Sequence, residues 1–287
     1  MSFFLVQVIV GGLLLGAVYA LFSSGLTLVW GMMNIVNFAH GDFVMLGMYV
    51  AFVVFSVFGV GPAAGAPLAA LVLATLGVIV YFALIRHIMK GPMLAQILGT
   101  FGLALLLRYS VFWWFGANFQ SLPNNLVGGT FDIFGLRIEA ARLLAGVVAI
   151  VVTLGLHFLL TRTSLGSKML AVAEDSTAAQ LMGIRPDAMQ AIAWGIAAGA
   201  TGLAGALIAT FFYIVPTVGE TLAIVAFVTV SLGGFGSVPG ALVAGLLIGV
   251  IESLSGYLIG AVYKDIVVYV VFLLFLWFRP QGLMGKM

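Results

Sequence analysis

The sequence predicts an all-α, polytopic membrane helix bundle with about nine membrane segments, some broken or re-entrant, and a cytoplasmic helix pair. Hydrophobic residues make up 63% of the chain and charged residues only 7%, whereas about 25% of the residues in a soluble domain are charged. Since a membrane-spanning helix needs about 20 apolar residues, the 287 residues have room for roughly eight to ten spans. We therefore expect one integral membrane domain over residues 1–287.

Long apolar runs place these segments along the chain. The predicted segments cover residues 3–30, 44–58, 68–85, 93–115, 141–160, 189–212, 221–232, 241–259 and 265–278. The run at 221–232 is short, so it is either a full crossing or half of a re-entrant pair. Between the fourth and fifth segments lies a polar loop, 116–139, which contains Pro123, Asn124 and Asn125. Alternation around a glycine predicts a hairpin in its last nine residues.

Glycine spacing indicates which segments approach their neighbours closely. The first segment carries Gly12 and Gly16, four residues apart, which is the spacing of a small-residue contact face between membrane helices. The sixth segment carries a longer stripe of this kind, formed by Gly195, Gly199, Gly202 and Gly205. In contrast, Gly61, Pro62, Gly65 and Pro67 are expected to form a turn before the third segment.

Residues 162–187 are too polar for a lipid interior, yet their pattern is helical. They carry three of the eleven basic residues and three of the nine acidic residues. Ser164 is predicted to cap a first short helix, and Asp175 a second one that Gly183 terminates. Each helix has one apolar and one polar face, so we expect them at the membrane surface. They either form a protruding contact surface for a partner protein or are an ordinary amphipathic loop.

The distribution of basic residues predicts the orientation in the membrane. If residues 162–187 face the cytoplasm, seven basic residues lie on that side and three lie outside. The cytoplasmic set adds Arg86, Lys90, Arg279 and Lys286 to the three in this segment, and the outer set is Arg137, Arg142 and Lys264. Arg108 lies within a span. This asymmetry predicts an N-terminus outside and a C-terminus in the cytoplasm. The net charge of +2 reflects topology and does not indicate a nucleic-acid partner.

Polar residues between the first two segments are candidates for a solute pathway. Such residues are costly in lipid and face a cavity, another helix or the aqueous boundary. Residues 34–42 are either a cytoplasmic turn or a broken helix inside the membrane, started by Asn37 or Gly41, whose N–H groups point at a substrate carboxylate. The predicted pathway residues are Asn34, Asn37, Phe38, His40, Gly41, Asp42, Pro216, Thr217 and Glu220.

Other charged residues are less specific. Glu252 in the eighth segment either pairs with Arg108, as a structural contact or as part of the pathway, or extends its carboxylate toward the membrane boundary. Glu220 lies either at the external mouth of the pathway or in an ordinary loop. The chain has no cysteine, no metal-ligand spacing, no hydrolase motif and no phosphate-binding G-x-x-x-x-G-K-[ST] loop.

Several ordered motifs are shared with a known family. The run TAAQLMG at 177–183 resembles the EAA-x-x-x-G loop of ABC-importer permeases, with Thr177 where the family usually has Glu. Residues 171–184, 25–50, 230–253 and the terminal RPQGL at 279–283 are similar to branched-chain amino-acid permeases of the LivH type, in the same order. The loop at 116–139 carries no such similarity.

The resemblance implies a permease subunit of an ATP-driven importer in a bacterial cytoplasmic membrane. It implies that residues 162–187, the coupling segment, dock into an ATPase that binds ATP and Mg²⁺, while this chain binds no cofactor. The coupling residues it implies are Glu174, Asp175, Thr177, Ala178, Ala179, Leu181, Met182 and Gly183. It also implies a soluble solute-binding protein and a second permease, either related or identical, besides membrane lipid.

The implied substrate is a branched-chain or other hydrophobic amino acid, and the alternative is urea, a short amide or a small carboxylate. Two other classes of protein are weighed against an ABC permease. A secondary transporter or channel needs a coupling-ion site or a continuous pore, and the scarcity of membrane carboxylates argues against proton coupling. An integral membrane enzyme is disfavoured because no catalytic constellation is present.

Overall fold

A computed structural model describes residues 2–122, 128–133 and 136–285. Pro123, Asn124 and Asn125 of the polar loop, Gly135 of the predicted hairpin and Lys286 of the basic tail lie outside these residues. The helices are α1 (Ser2–Met33), α2 (His40–Phe58), α3 (Pro62–Val80), which continues as a π-helix (Tyr81–Ile85) and α4 (Arg86–Ile88), α5 (Met93–Phe115), α6 (Ala140–Arg162), α7 (Ser164–Glu174), α8 (Ser176–Leu181), α9 (Pro186–Ile208), α10 (Val218–Gly233), α11 (Val238–Leu258) and α12 (Lys264–Phe278).

The architecture confirms an all-α polytopic bundle. Within the described residues, seven helices are long and apolar enough to cross a membrane. The predicted short segment at 221–232 is α10, which has 16 residues and so is about 24 Å long. A hydrocarbon core is about 30 Å thick, so α10 spans less than its full depth. The last segment, α12, is similarly short, with 15 residues.

The predicted hairpin is present as strands β1 (Thr130–Ile133) and β2 (Leu136–Glu139). They pair antiparallel, with Thr130 opposite Glu139. The loop before the hairpin is also tied to the bundle, because Gln120 and Ile214 exchange backbone hydrogen bonds of 3.0 and 2.8 Å. The two loops that precede α6 and α10 therefore meet at the same end of the molecule.

Two predicted boundaries are wrong. The stretch expected to be a turn before the third segment is helical, since α3 begins at Pro62 and contains Pro67. Proline at the first helical position needs no N–H partner, and membrane helices accommodate an internal proline. The sixth segment also ends earlier than predicted, because α9 stops at Ile208, four residues before 212.

Helix α1 packs against α11 through glycines on both helices. A Cβ atom built on Gly12 would lie 2.7 Å from the Gly249 carbonyl oxygen and 2.9 Å from Val250 Cα. One turn further along, a Cβ on Gly16 would lie 2.8 Å from Leu246 Cα. The predicted small-residue face on α1 is confirmed, and it meets a matching face on α11.

Helix α9 lies at the centre of the bundle, between α2 and α3. The predicted glycine stripe makes this possible: a Cβ on Gly202 would lie 2.7 Å from the Ala69 carbonyl oxygen, and one on Gly205 would lie 2.9 Å from the Met48 nitrogen. Gly47 of α2 faces Gly202 equally closely, since a Cβ on Gly47 would lie 2.6 Å from the Gly202 carbonyl oxygen. Backbone-to-backbone contact of this kind holds α2 at a defined height against α9.

The segment after α12 closes the far end of α10. The Leu283 N–H donates to the Leu232 carbonyl oxygen at 2.8 Å, and the Met284 N–H donates to that of Gly233 at 3.0 Å. These bonds satisfy carbonyl groups that the end of a helix leaves without partners. The terminal motif RPQGL therefore has a structural role at the end of α10.

The contact between α1 and α11 can be tested with two adjacent glycines. We expect Gly12→Ala to destabilise the protein by about 1–3 kcal/mol, because the added methyl group overlaps the α11 backbone. Gly11→Ala is the matched control, since nothing lies within 4 Å of its added Cβ. Thermal unfolding in detergent measures the difference. Equal melting temperatures for the two variants would contradict the proposed packing.

Candidate functional site

Residues 34–39 join α1 to α2 without forming regular helix and end in a turn at Phe38 and Ala39, and we call them the extended segment. It starts at Asn34, which has φ of +51°, a left-handed conformation that asparagine tolerates better than most residues. The Asn37 side-chain oxygen accepts a hydrogen bond of 3.1 Å from the Ala39 N–H just before α2 begins. Asn34 thus turns the chain, and Asn37 stabilises the entry to the next helix.

This extended segment runs back into the bundle. The His40 ring nitrogen Nε2 lies 2.7 Å from the Phe22 carbonyl oxygen, and Phe22 precedes the last residue of α1, Met33, by eleven residues, or about 16 Å. The Thr100 hydroxyl on α5 lies 3.0 Å from the Val36 carbonyl oxygen. Helix α2 therefore starts well inside the bundle, and residues 34–42 do not form a tight turn at its end.

Three charged residues meet where α2 begins, and we call them the ion triad: Asp42, Arg108 and Glu220. The Asp42 carboxylate accepts two bonds from Arg108, one from Nε at 3.1 Å and one from Nη2 at 3.3 Å. The remaining guanidinium nitrogen, Nη1, donates to Glu220. The Asp42 side chain is 1% exposed, whereas that of Glu220 is 61% exposed. The triad therefore extends from the interior to an open face of the chain.

The start of α2 packs directly on α10. A Cβ on Gly41 would lie 2.8 Å from Ala223 Cα, and one on Gly219 would lie 2.7 Å from an Asp42 carboxylate oxygen. Only residues without side chains allow this approach. The Phe38 and Phe227 rings are adjacent, with centroids 5.3 Å apart. The extended segment and α10 thus present one joint surface beside the ion triad.

The structure divides the predicted pathway residues into two groups. Those that are exposed are Asn34, Phe38, Thr217 and Glu220. Those that are buried are Asn37, His40, Gly41, Asp42 and Pro216. The buried group positions the backbone and Arg108, whereas the exposed group borders the space outside this chain.

The predicted pairing of Glu252 with Arg108 is wrong. Glu252 on α11 bonds to Lys264 at the start of α12, while Arg108 bonds to Asp42 and Glu220. Helix α11 packs on α1 and therefore lies away from the face that α5 presents to α2. Arg108 was absent from the predicted pathway residues, although it was visible in the sequence as a single basic residue inside an apolar run.

The coupling segment forms two short helices, α7 and α8, as predicted. The cap of α7 is Thr163, whose side chain accepts from the Gly166 N–H at 3.2 Å, and not Ser164, which is the first helical residue. The predicted cap of α8 is confirmed, because Asp175 accepts from the N–H groups of Thr177 and Ala178 at 2.8 and 2.9 Å.

The end of α8 follows the expected glycine termination. Gly183 has φ of +81°, and its N–H donates to the Gln180 carbonyl oxygen at 3.0 Å. The Ile184 N–H donates to the Ala179 carbonyl oxygen, also at 3.0 Å. This pair of bonds is a Schellman motif, which requires a left-handed residue that glycine supplies without a steric penalty.

One face of the coupling segment packs on the bundle. Met169, Val172 and Ala179 are buried in an apolar cluster with Leu28 and Met32 from the end of α1. At the other end of the segment, Asp187 forms an ion pair of 3.0 Å with Arg86. The coupling segment is therefore held against α1, α4 and α9 and is not a free loop.

The opposite face of the coupling segment is open. Leu181 and Met182 at the tip of α8 are 85% and 82% exposed, and Glu174, Asp175, Thr177, Ala178 and Gly183 are exposed as well. Two large apolar side chains at a polar surface are typical of a contact site for another protein. Ala179 belongs to the buried face and supports this tip from below.

A cavity of about 520 Å³ is bordered by α7 and the end of α1. Its walls include Met169 and Leu170 of α7, Asn34 at the start of the extended segment, and Ser237 before α11. The coupling segment and residues 34–39 therefore border the same space. Among the residues that the structure describes, His, Asp and Glu side chains form no group of three that could hold a metal ion.

Comparison with known proteins gives full-length matches. Residues 8–276 match the family described as "Branched-chain amino acid transport system / permease component". The high-affinity branched-chain amino acid transport system permease protein BraD of Pseudomonas aeruginosa is 32% identical over 98% of this chain and 95% of its own length. Its counterpart LivH of Escherichia coli is 29% identical over 99% and 96%, respectively.

A second type of permease from the same organism also matches. The LivM protein of Escherichia coli is 27% identical over 93% of this chain and 68% of its own length. No solved structure gives a significant match.

The buried ion pair can be tested by removing one or both partners. We expect Arg108→Gln to destabilise the protein by about 3–5 kcal/mol, because it leaves the buried Asp42 charge without a partner. The double variant Asp42→Asn with Arg108→Gln should recover most of this loss, since neither buried charge remains. Arg137→Gln is the control, because its side chain is 75% exposed. Additive effects in a thermal double-mutant cycle would argue against the pair.

Proposed function

Because this chain belongs to the family of branched-chain amino-acid transport permease components, we propose that it is the membrane-spanning subunit of an ATP-driven importer. The substrate that its relatives' names support is a branched-chain amino acid, and those names give no support to urea, short amides or small carboxylates. The chain is a translocation subunit and not an enzyme, so a separate subunit hydrolyses ATP with Mg²⁺. We propose that residues 1–287 form one integral membrane domain.

The coupling segment, residues 162–187, transmits ATP hydrolysis to the bundle in this proposal. The observation that supports this role is that Leu181 and Met182 at the tip of α8 are almost fully exposed, while the opposite face of the coupling segment packs on the bundle. An ATPase groove that covers these two side chains would remove them from water. A movement of the ATPase would then act on α1 and α9 through Met169, Val172 and Ala179.

Residues 34–42 and 216–220 border the solute pathway in this proposal. Broken helices that carry polar groups inside the membrane are typical of transporter binding sites. The exposed members of the two groups are Asn34, Phe38, Thr217 and Glu220. A carboxylate exposed within a membrane helix is costly against lipid, so the Glu220 side chain is covered by water or protein. We propose that a second permease shields this carboxylate from lipid.

The partners follow from the same reasoning. Both LivH-type and LivM-type permeases match this chain, which supports a pair of two related permeases. A soluble binding protein on the outer side supplies the amino acid. The chain is a multi-pass protein of the cytoplasmic membrane, with its N-terminus outside and the coupling segment in the cytoplasm.

Reconstitution tests the proposed function as a whole. The purified complex of this chain with its second permease and ATPase is placed in proteoliposomes, and loaded binding protein is added. Leucine uptake should require ATP. Uptake that proceeds equally well without the ATPase would contradict the proposal and favour a channel or a secondary transporter.

The tip of α8 is tested with charged substitutions. We expect Leu181→Asp and Met182→Asp to reduce ATPase co-purification and ATP-dependent uptake by about tenfold or more, because a carboxylate would have to be buried in the contact. Membrane insertion should be unaffected, since both side chains are exposed. Val262→Asp is the matched control, because Val262 is 83% exposed but lies in the loop after α11. Wild-type association of the tip variants would place the ATPase elsewhere.

The orientation is tested with single cysteines, which is straightforward because the chain has none. Ser176→Cys in α8 and Val262→Cys after α11 are both at exposed positions. A membrane-impermeant maleimide added to intact cells should label only Val262→Cys, and inverted vesicles should show the reverse. Labelling of both variants from the same side would contradict the proposed topology.

A further inference from the structure

We propose that Arg108 and Glu220 bind the two charged groups of a zwitterionic amino acid, with Arg108 taking the carboxylate and Glu220 the ammonium group. This inference rests on the proposed function, since it describes how the permease itself recognises the solute. It assigns a role to Arg108, and it names the chemical class that the pathway accepts.

The contacts within the ion triad are unequal. Asp42 holds Arg108 through two bonds, at 3.1 and 3.3 Å, and is buried. This bidentate, water-excluded arrangement fixes the plane of the guanidinium group. Glu220 contacts only Nη1, and its side chain is 61% exposed. The Asp42 contact is therefore permanent, whereas the Glu220 contact is open to exchange with a solute carboxylate.

An exchange of this kind leaves both Arg108 and Glu220 with a partner. A solute carboxylate that replaces Glu220 accepts a bond from Nη1 of Arg108. The displaced Glu220 carboxylate is then available to the ammonium group on the same α-carbon. Every charged group has a partner before and after the exchange, which matters because unpaired charges are costly inside a membrane protein.

The sum of charges favours a zwitterion over an anion. Two carboxylates and one guanidinium group give the triad a formal charge of −1 (−1, +1 and −1). A solute with a carboxylate alone would add a second uncompensated negative charge. A solute with both a carboxylate and an ammonium group leaves the total unchanged. The site is thus matched to an α-amino acid and not to a simple carboxylic acid.

An apolar wall lies beside the charged groups. Along α10, Ile224 and Phe227 follow Glu220 at four and seven residues, so they lie on the same helix face as Glu220. Ile224 is exposed, and Phe227 is partly buried against Phe38. These side chains offer contact to an apolar side chain whose backbone groups are held at the triad. A hydrophobic amino acid fits both parts of this surface.

The first experiment measures uptake and ATP hydrolysis in the reconstituted complex. We expect Glu220→Gln to reduce leucine uptake by about tenfold or more, which corresponds to the loss of one charged hydrogen bond. ATP hydrolysis stimulated by loaded binding protein should persist, so the uptake per ATP falls. Glu220→Asp should retain part of the uptake. Glu252→Gln, a second carboxylate variant in a membrane helix but paired with Lys264, should behave like wild type.

Two outcomes separate this inference from the proposed function. Wild-type uptake per ATP in Glu220→Gln would overturn the inference and leave the proposed function intact. Absence of ATP-dependent uptake in the unmodified complex would overturn the proposed function, and the inference would fall with it.

The second experiment does not depend on transport. A single cysteine at position 220 should react with a charged, water-soluble methanethiosulfonate in the assembled complex, and leucine with loaded binding protein should slow the reaction. Leu106→Cys on α5 is the control, because Leu106 is 64% exposed at a surface that it shares with Leu105, Trp113 and Trp114, and it should stay unreactive. An unreactive cysteine at position 220 would show that water does not reach this site and would overturn the inference.

Discussion

The pairing of Asp42 with Arg108 is the interaction on which the arrangement of the helices depends. A guanidinium group on a membrane helix needs a carboxylate at its own depth. Asp42 reaches that depth because the chain turns back after α1 and α2 starts inside the bundle. The ion pair therefore depends on the return of residues 34–39 into the bundle, because this return sets the depth at which α2 starts.

Glycine contacts give this feature its rigidity. The hydrophobic effect contributes little to the association of helices within a membrane. Close packing of small residues therefore supplies much of the association energy. Gly47 meets Gly202 on α9, and Gly41 meets α10, so α2 is held by backbone contacts on two sides. Side chains at these positions would move α2 outward by their own width. The geometry of the ion triad thus depends on glycines, which have no side-chain functional group of their own.

The coupling segment connects to the same region through the end of α1. Leu28 and Met32 pack on Met169 and Val172 of α7, and the chain that follows α1 is the extended segment that leads to the ion triad. A displacement of α7 would therefore act first on the end of α1 and the cavity beside it.

The sequence by itself determined the membrane class, most of the helices, and the cap and glycine termination of α8. These features depend on composition, on runs of apolar residues and on contacts between near neighbours, such as Asp175 with Thr177 and Ala178. Only the tertiary structure decided that Arg108 pairs with Asp42 and Glu220, which are 66 and 112 residues away along the chain. It also decided that residues 34–39 return into the bundle. The physical reason is that apolar periodicity specifies a helix and its buried side, but not the depth at which it starts or the partner it meets.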